Sequence, residues 1–230
     1  MQRTMRLTRE LVDLLPAAID DPGPMTLVSE LESEAHYTQT TRDILDNLPD
    51  DGELWVFAYG SLIWKPRFTH VERRRALIKG WHRSFCLGPD ERYRGNPDAP
   101  GLMLSLIEGG QCEGVVFRLA RDSLETNLLG MLESEPPVAP AWMDAHTDSG
   151  TVRCIAHICP PSFPGYFGER GLDETADKLQ SAVGMFGSMP DYLYNTVRHL
   201  EEAGIHDSYL WKMQELVAER LERLVEKNSG

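Results

Sequence analysis

Residues 54–66 read Leu54-Trp55-Val56-Phe57-Ala58-Tyr59-Gly60-Ser61-Leu62-Ile63-Trp64-Lys65-Pro66. The first five are apolar, which suits a short strand buried on both faces. They follow the turn-forming run Pro49-Asp50-Asp51-Gly52, so the folded domain is expected to begin at Glu53. Downstream, Leu77, Lys79, Trp81, Arg83 and Phe85 alternate with Ile78, Gly80, His82 and Ser84, a two-residue period that predicts a strand. Leu102–Ile107, Gly114–Leu119, Trp142–His146 and Thr151–Cys159 continue the series. One helix is expected among them. Asp122 or Ser123 can cap a segment running to about Ser134, with Leu124, Leu128, Leu129, Met131 and Leu132 on its apolar face.

Beyond Pro164-Gly165 the pattern turns helical. Three helices are expected: Asp173–Phe186; Pro190–Ala203, with proline in its first turn and Gly204 as its stop; and Asp207–Lys227. In the last, Leu210, Met213, Leu216, Val217, Leu221 and Leu224 keep helical spacing. Strands first and helices later predict an α+β fold, a curved or barrel-like sheet flanked by helices. Ahead of it lies an acidic lead-in, with helices expected around Thr8–Leu15 and Thr41–Leu48 and a break at Asp21-Pro22-Gly23-Pro24. The expected organisation is a helical N-terminal extension over residues 1–52 and one domain over residues 53–230.

At 230 residues, 41% hydrophobic and 26% charged, the chain has material for a sizeable core. Its net charge of −13 argues against nucleic acid or an anionic membrane as the main partner, because phosphate binding needs clustered Lys and Arg. The nearest such cluster, Arg73-Arg74-Arg75, has no interleaved aromatic residue and reads as a solvated stretch. Cys86, Cys112, Cys154 and Cys159 form no zinc pattern and are too few for a disulfide framework, which leaves buried thiols in a reducing compartment. Met1–Leu15 lacks the apolar core of a signal peptide, and no run approaches the ~18 apolar residues of a membrane span. A soluble, cytoplasmic protein without nucleic-acid or membrane partners is expected; its oligomeric state stays open.

Gly60 lets the backbone turn sharply after the first strand and present consecutive N–H groups in a concavity, which binds a carboxylate or an oxyanion without a formal charge. A plain turn with Tyr59 and Trp64 in the core explains the same residues. A serine hydrolase does not fit, since Gly-x-Ser-x-Gly needs glycines where Tyr59 and Ile63 stand.

The context of this loop is more specific. Gly80-Trp81-His82-Arg83-Ser84-Phe85 follows it, then Tyr93-Arg94-Gly95-Asn96-Pro97-Asp98-Ala99-Pro100-Gly101, Gly110-Gln111-Cys112-Glu113-Gly114 and Pro164-Gly165-Tyr166-Phe167-Gly168. In this order the set closely resembles the ChaC family of γ-glutamylcyclotransferases, over roughly residues 54–226. The resemblance implies a small mixed β-barrel of the γ-glutamylcyclotransferase-like type with flanking helices. It also implies an enzyme acting on glutathione and releasing 5-oxoproline and cysteinylglycine. The α-amine of the γ-glutamyl group attacks its own side-chain carbonyl, closes a five-membered ring and expels the dipeptide amine. That chemistry needs a general base, preorganised donors for the oxyanion and a proton for the leaving amine. It requires no cofactor, metal or covalent intermediate.

The resemblance assigns substrate binding to Val56, Phe57, Ala58, Tyr59, Gly60, Ser61 and Leu62. It assigns the base to a glutamate at the end of the helix after Gly110–Gly114, where this chain reads Glu133-Ser134-Glu135-Pro136-Pro137. Glu135 is favoured, because it keeps Met131 four residues before it and Trp142 seven after it, the spacing of the wider superfamily; Glu133 reaches Trp142 only at nine. This segment lacks the family's usual glycine and tyrosine, which opens two alternatives: a cyclotransferase for other γ-glutamyl compounds, or a barrel that binds a ligand without turning it over. Arg94 is a candidate for the glycine carboxylate of glutathione, or else a structural hydrogen-bonding hub. Tyr166 lines the pocket or merely packs. Of seven histidines, His157 sits in an apolar strand and reads as a satisfied core residue, while His82 and His146 have no motif partners.

Overall fold

The computed structural model describes residues 3–24 and 33–228; the remaining positions of the acidic lead-in, 1–2 and 25–32, lie outside the described residues. The chain divides into two compact units, one of Thr26–Arg83 with Ser105–Pro164, the other of Met1–Met25, Ser84–Leu104 and Gly165–Gly230. Two long strands, β2 (His70–Asp90) and β3 (Gly101–Leu119), run through both. With β1 (Trp55–Ala58), β4 (Ala141–Thr147) and β5 (Gly150–Ala156) they close a barrel in the order β1-β3-β2-β4-β5.

β1 is antiparallel to β3, with Trp55 opposite Arg118 and Ala58 opposite Val115, and parallel to β5, with Trp55 beside Cys154 and Val56 beside Ile155. β4 runs antiparallel to both β2 and β5. One parallel pair among antiparallel ones makes the barrel mixed, as expected. Flanked by paired strands on both sides, β1 is buried at all four positions, which is why its sequence is apolar without alternation.

The N-terminal end of β1 is closed by charge stacked on an aromatic ring. Trp55 lies under Arg74 and Arg118, whose guanidinium carbons are 4.6 and 5.9 Å from its ring centre. Arg118 reaches Glu53 at 3.0 Å and Glu72 at 3.1 Å, and Glu72 also takes Arg74. Arg74 therefore leaves the solvated stretch expected for the basic run, while Arg73 and Arg75 stay exposed, over Phe117 and paired with Glu113. All four cysteines are buried free thiols.

Leu102–Ile107 and Gly114–Leu119, expected as two strands, belong to one. Gly109 (φ 109°) and Gly110 (φ 66°) take left-handed backbone that keeps the chain in the sheet through the intervening polar residues. His82 Nδ1 donates to the Gly109 carbonyl at 2.9 Å, across this irregularity. Two helices belong to the same unit and pack together, α2 (Glu34–Asp46) and α3 (Leu124–Ser134). α2 begins seven residues before the expected Thr41, because Ser33 caps it through the His36 amide. Ser123 stands at the N-cap of α3 without capping it; its hydroxyl accepts instead from Asn127, whose side-chain carbonyl takes the Thr69 amide.

The other unit holds α1 (Arg9–Val12), α4 (Leu172–Leu179), the hairpin β6–β7 (Val183–Gly184, Gly187–Ser188), α5 (Met189–Glu202) and α6 (Ser208–Asn228). The helix expected over Asp173–Phe186 stops at Leu179 and gives way to this hairpin. A side chain on Gly184 would stand 2.4 Å from the Tyr93 carbonyl carbon, and Gly187 has φ 110°, so both glycines serve the turn and its close approach. Met185 and Phe186 donate amides to the carbonyls of Arg92 and Tyr93, a pairing that a continued helix would forfeit. α5 begins as expected, with Pro190 in its first turn and Ser188 accepting the Asp191 amide. In α6, Leu210, Met213, Val217 and Leu221 are buried, while Leu224 lies exposed.

Candidate active site

Barrel topology decides which residues can meet. β1 and β5 are parallel, so the loop after Ala58 and the chain after Ala156 leave the same rim. β4 pairs antiparallel with β5, Ala141 opposite Ala156, so the segment 135–140 that enters β4 arrives at that rim too. All three belong to the barrel-containing unit. The Tyr59 hydroxyl donates to the His157 carbonyl at 2.9 Å and ties the first to the second.

Gly60 opens a single 3-10 turn, Ser61–Ile63, in which Ile63 donates to the Gly60 carbonyl and Trp64 and Lys65 donate to that of Ser61. The first amides of any such turn have no partner within it. Those of Gly60, Ser61 and Leu62 donate to no described residue, and Gly60 and Leu62 are buried. Three consecutive backbone donors are thus left without a partner among the described residues. Val56, Phe57 and Ala58 are buried in β1 below them.

The acidic turn separates the two glutamates. Glu135 is the C-terminal cap of α3 in extended conformation (φ −112°, ψ 163°), the geometry favoured before Pro136. Part of its surface stays open, yet its carboxyl is enclosed by protein. Burial raises its pKa to about 7, with the positive charge of Arg67 acting the other way. Glu133, on the helix itself, is exposed. Here the chain places an enclosed carboxyl with a raised pKa and a set of unpartnered amides at one rim.

His157, at that rim, is 7% exposed and differs from the satisfied core residue expected of it: its Nε2 has no partner among the described residues. Burial lowers its pKa to about 4, so the imidazole is neutral at physiological pH. His146 bonds Thr151 through Nδ1 at 3.0 Å.

Arg94 and Tyr166 belong to the other unit. The Arg94 amide donates to Asp90 at 2.7 Å. Its guanidinium meets the Ser188 carbonyl at 3.4 Å and Asp191 at 3.9 Å and lies 5.3 Å from the Tyr192 ring centre. These are the contacts of a hub joining the tip of the long strands to the hairpin and α5. Tyr166 is half-buried and bridges Leu87.

The model of the ChaC-like protein family matches residues 54–220. This chain belongs to the ChaC-like family. It is similar to the glutathione-specific gamma-glutamylcyclotransferase of Escherichia coli, at 35% identity over 166 residues, 70% of this chain and 71% of that one. It is likewise similar to the protein of the same name from Schizosaccharomyces pombe, at 41% identity over 197 residues, 70% and 92% of the two chains. Among solved structures, the glutathione-specific gamma-glutamyl cyclotransferase of yeast superimposes with a TM-score of 0.68 over 73% of this chain and 96% of its own, at 21% identity. That likeness supports the fold, a mixed barrel with flanking helices.

Two residues that bear on the rim of this ChaC-like barrel had no role assigned from the sequence. Arg67 stood outside every motif. Arg83 was visible as a charge between Trp81 and Phe85 on one face of its strand, and it is 3% exposed.

Proposed function

We propose that the chain cleaves glutathione in the cytoplasm by cyclising its γ-glutamyl group, giving 5-oxoproline and cysteinylglycine, with Glu135 as general base and acid. Family membership and the names of the relatives support the substrate and the reaction. The observation that carries the role of Glu135 is its enclosed carboxyl, with a pKa of about 7, at the rim that also holds the amides of Gly60, Ser61 and Leu62. Glu135 takes a proton from the α-ammonium. The freed amine attacks the γ-carbonyl, the three amides stabilise the oxyanion, and Glu135 returns the proton to the departing cysteinylglycine amine. Holding the substrate folded supplies much of the acceleration, since nucleophile and electrophile share one molecule.

The run Pro136-Pro137 in the segment beside Glu135 favours one second reading, a cyclotransferase with another leaving group. Release of 5-oxoproline by the full chain, from glutathione and from a panel of γ-glutamyl amino acids and amines, separates the two. Preference for glutathione is expected. Equal or better turnover of the others would overturn the substrate, and glutathione binding without 5-oxoproline between pH 6 and 9 would overturn the reaction.

A further inference from the structure

Arg83, on β2, reaches both the base of the donor loop and β3. Its Nε donates to the Tyr59 carbonyl at 2.7 Å and its Nη2 to the Glu113 carbonyl. Next to Glu113, Gly114 approaches the end of β1 so closely that a Cβ there would lie 2.4 Å from the Ala58 carbonyl oxygen. The base of the loop is thus held from two sides, by a fork of guanidinium donors and by backbone packed on backbone. A peptide unit is planar and trans, so its carbonyl and the next N–H point in opposite directions. Whatever fixes the Tyr59 carbonyl therefore fixes the Gly60 N–H, which donates to no described residue.

We propose that Arg83 is a positioning residue that aims the Gly60 amide at the reacting carbonyl by holding the Tyr59 carbonyl on the opposite side of the same peptide. The inference rests on the reading of this loop as the donor set for the cyclisation. In this role Arg83 acts through the Tyr59-Gly60 peptide. The planar fork can serve two carbonyls on two strands at once, whereas an ammonium is a single point donor. Lysine at this position keeps the charge and loses the geometry.

The test is Arg83→Lys in the full chain, read three ways: kcat and KM for glutathione, thermal unfolding, and the amide proton and nitrogen chemical shifts of Gly60. A donor aimed at the transition state is worth about 10²–10³ in kcat when removed, and a misaimed one less. The expected result is a kcat lower by about 10–100-fold, KM changed less than threefold, an unfolding midpoint that leaves the chain fully folded at the assay temperature, and a displaced Gly60 resonance. Unchanged kcat overturns the proposal, as does a fall in kcat with the Gly60 resonance unmoved. If Arg83→Lys does not fold, Arg83→Gln is read in the same way. An inactive wild-type chain would refute the cyclotransferase reading, while the Gly60 resonance would still report whether Arg83 orients that peptide.

Discussion

Two residues apart on one chain, Glu135 and Glu133 differ in the property that proton transfer at neutral pH requires. An ordinary carboxylate is too weak a base to hold a substrate proton near pH 7, and an enclosed one is not. With its pKa raised to about 7 by burial, Glu135 predicts an acid limb in kcat/KM centred near that pH. Glu135→Gln is expected to lower kcat by about 10²–10⁴ with the fold intact. Glu133→Gln, changing an exposed side chain, is expected to stay within twofold of wild type. Steady-state release of 5-oxoproline from pH 5 to 9 checks all three; loss of activity in Glu133→Gln with retention in Glu135→Gln would reverse the assignment. The candidates themselves came from the family resemblance, which places the base at the end of this helix. Spacing already favoured Glu135, but the difference in burial was not legible, since enclosure comes from chain distant in sequence. The missing partner of His157 Nε2 was hidden for the same reason.

At the scale of elements, the strands could be read wherever burial imposed a pattern. β1 is apolar throughout because neighbours cover it, and α5 announces itself by its first-turn proline and the glycine that stops it. Where backbone, not side chains, carries the structure, the sequence holds no such pattern. β3 was split in two because Glu108–Glu113 looks like a turn, and the left-handed glycines that keep it in the sheet leave no hydrophobic signature. The 183–188 hairpin reads as helix in the sequence because Gly184 answers to the Tyr93-Arg94 backbone, far away along the chain. Two glycine substitutions test this distinction. At Gly114 a Cβ would lie 2.4 Å from the Ala58 carbonyl oxygen and 2.6 Å from Phe57 Cζ, so Gly114→Ala is expected to cost at least ~2 kcal/mol and to lower kcat by disturbing the base of the loop. Gly130 lies in α3 with nothing within 4 Å of its added Cβ. There, Gly130→Ala is expected to raise stability by about 0.5–1 kcal/mol. Urea unfolding of both variants measures the pair; a destabilised Gly130→Ala or a neutral Gly114→Ala would contradict the packing.

For the molecule as a whole, the two perturbed groups at the barrel rim act on stability in opposite senses over nearly the same pH range. Glu135 goes from 4.5 when unfolded to about 7 when folded. Between those values the folded chain holds a proton the unfolded chain has released, so its contribution is complete below pH 4.5 and is lost as pH rises through 7. His157 goes from 6.5 to about 4, so its contribution is complete above pH 6.5 and is lost as pH falls through 4. Each slope is at most ~1.4 kcal/mol per pH unit, the value for one proton. From pH 4.5 to 6.5 the two slopes offset each other, and these groups together leave stability nearly level. Removing either one exposes the other. Relative to wild type, Glu135→Gln is expected to gain stability as pH rises through that window, by up to about 2.5 kcal/mol, and His157→Phe to lose a similar amount. Asp90, whose burial also raises its pKa, is common to all three chains and cancels in the comparison. Denaturant unfolding at pH 4.5, 5.5 and 6.5 reads the slopes directly. Parallel curves for the three proteins would mean that neither group is buried in the charge state assigned to it, and with that the case for Glu135 as a base poised near neutrality would fail.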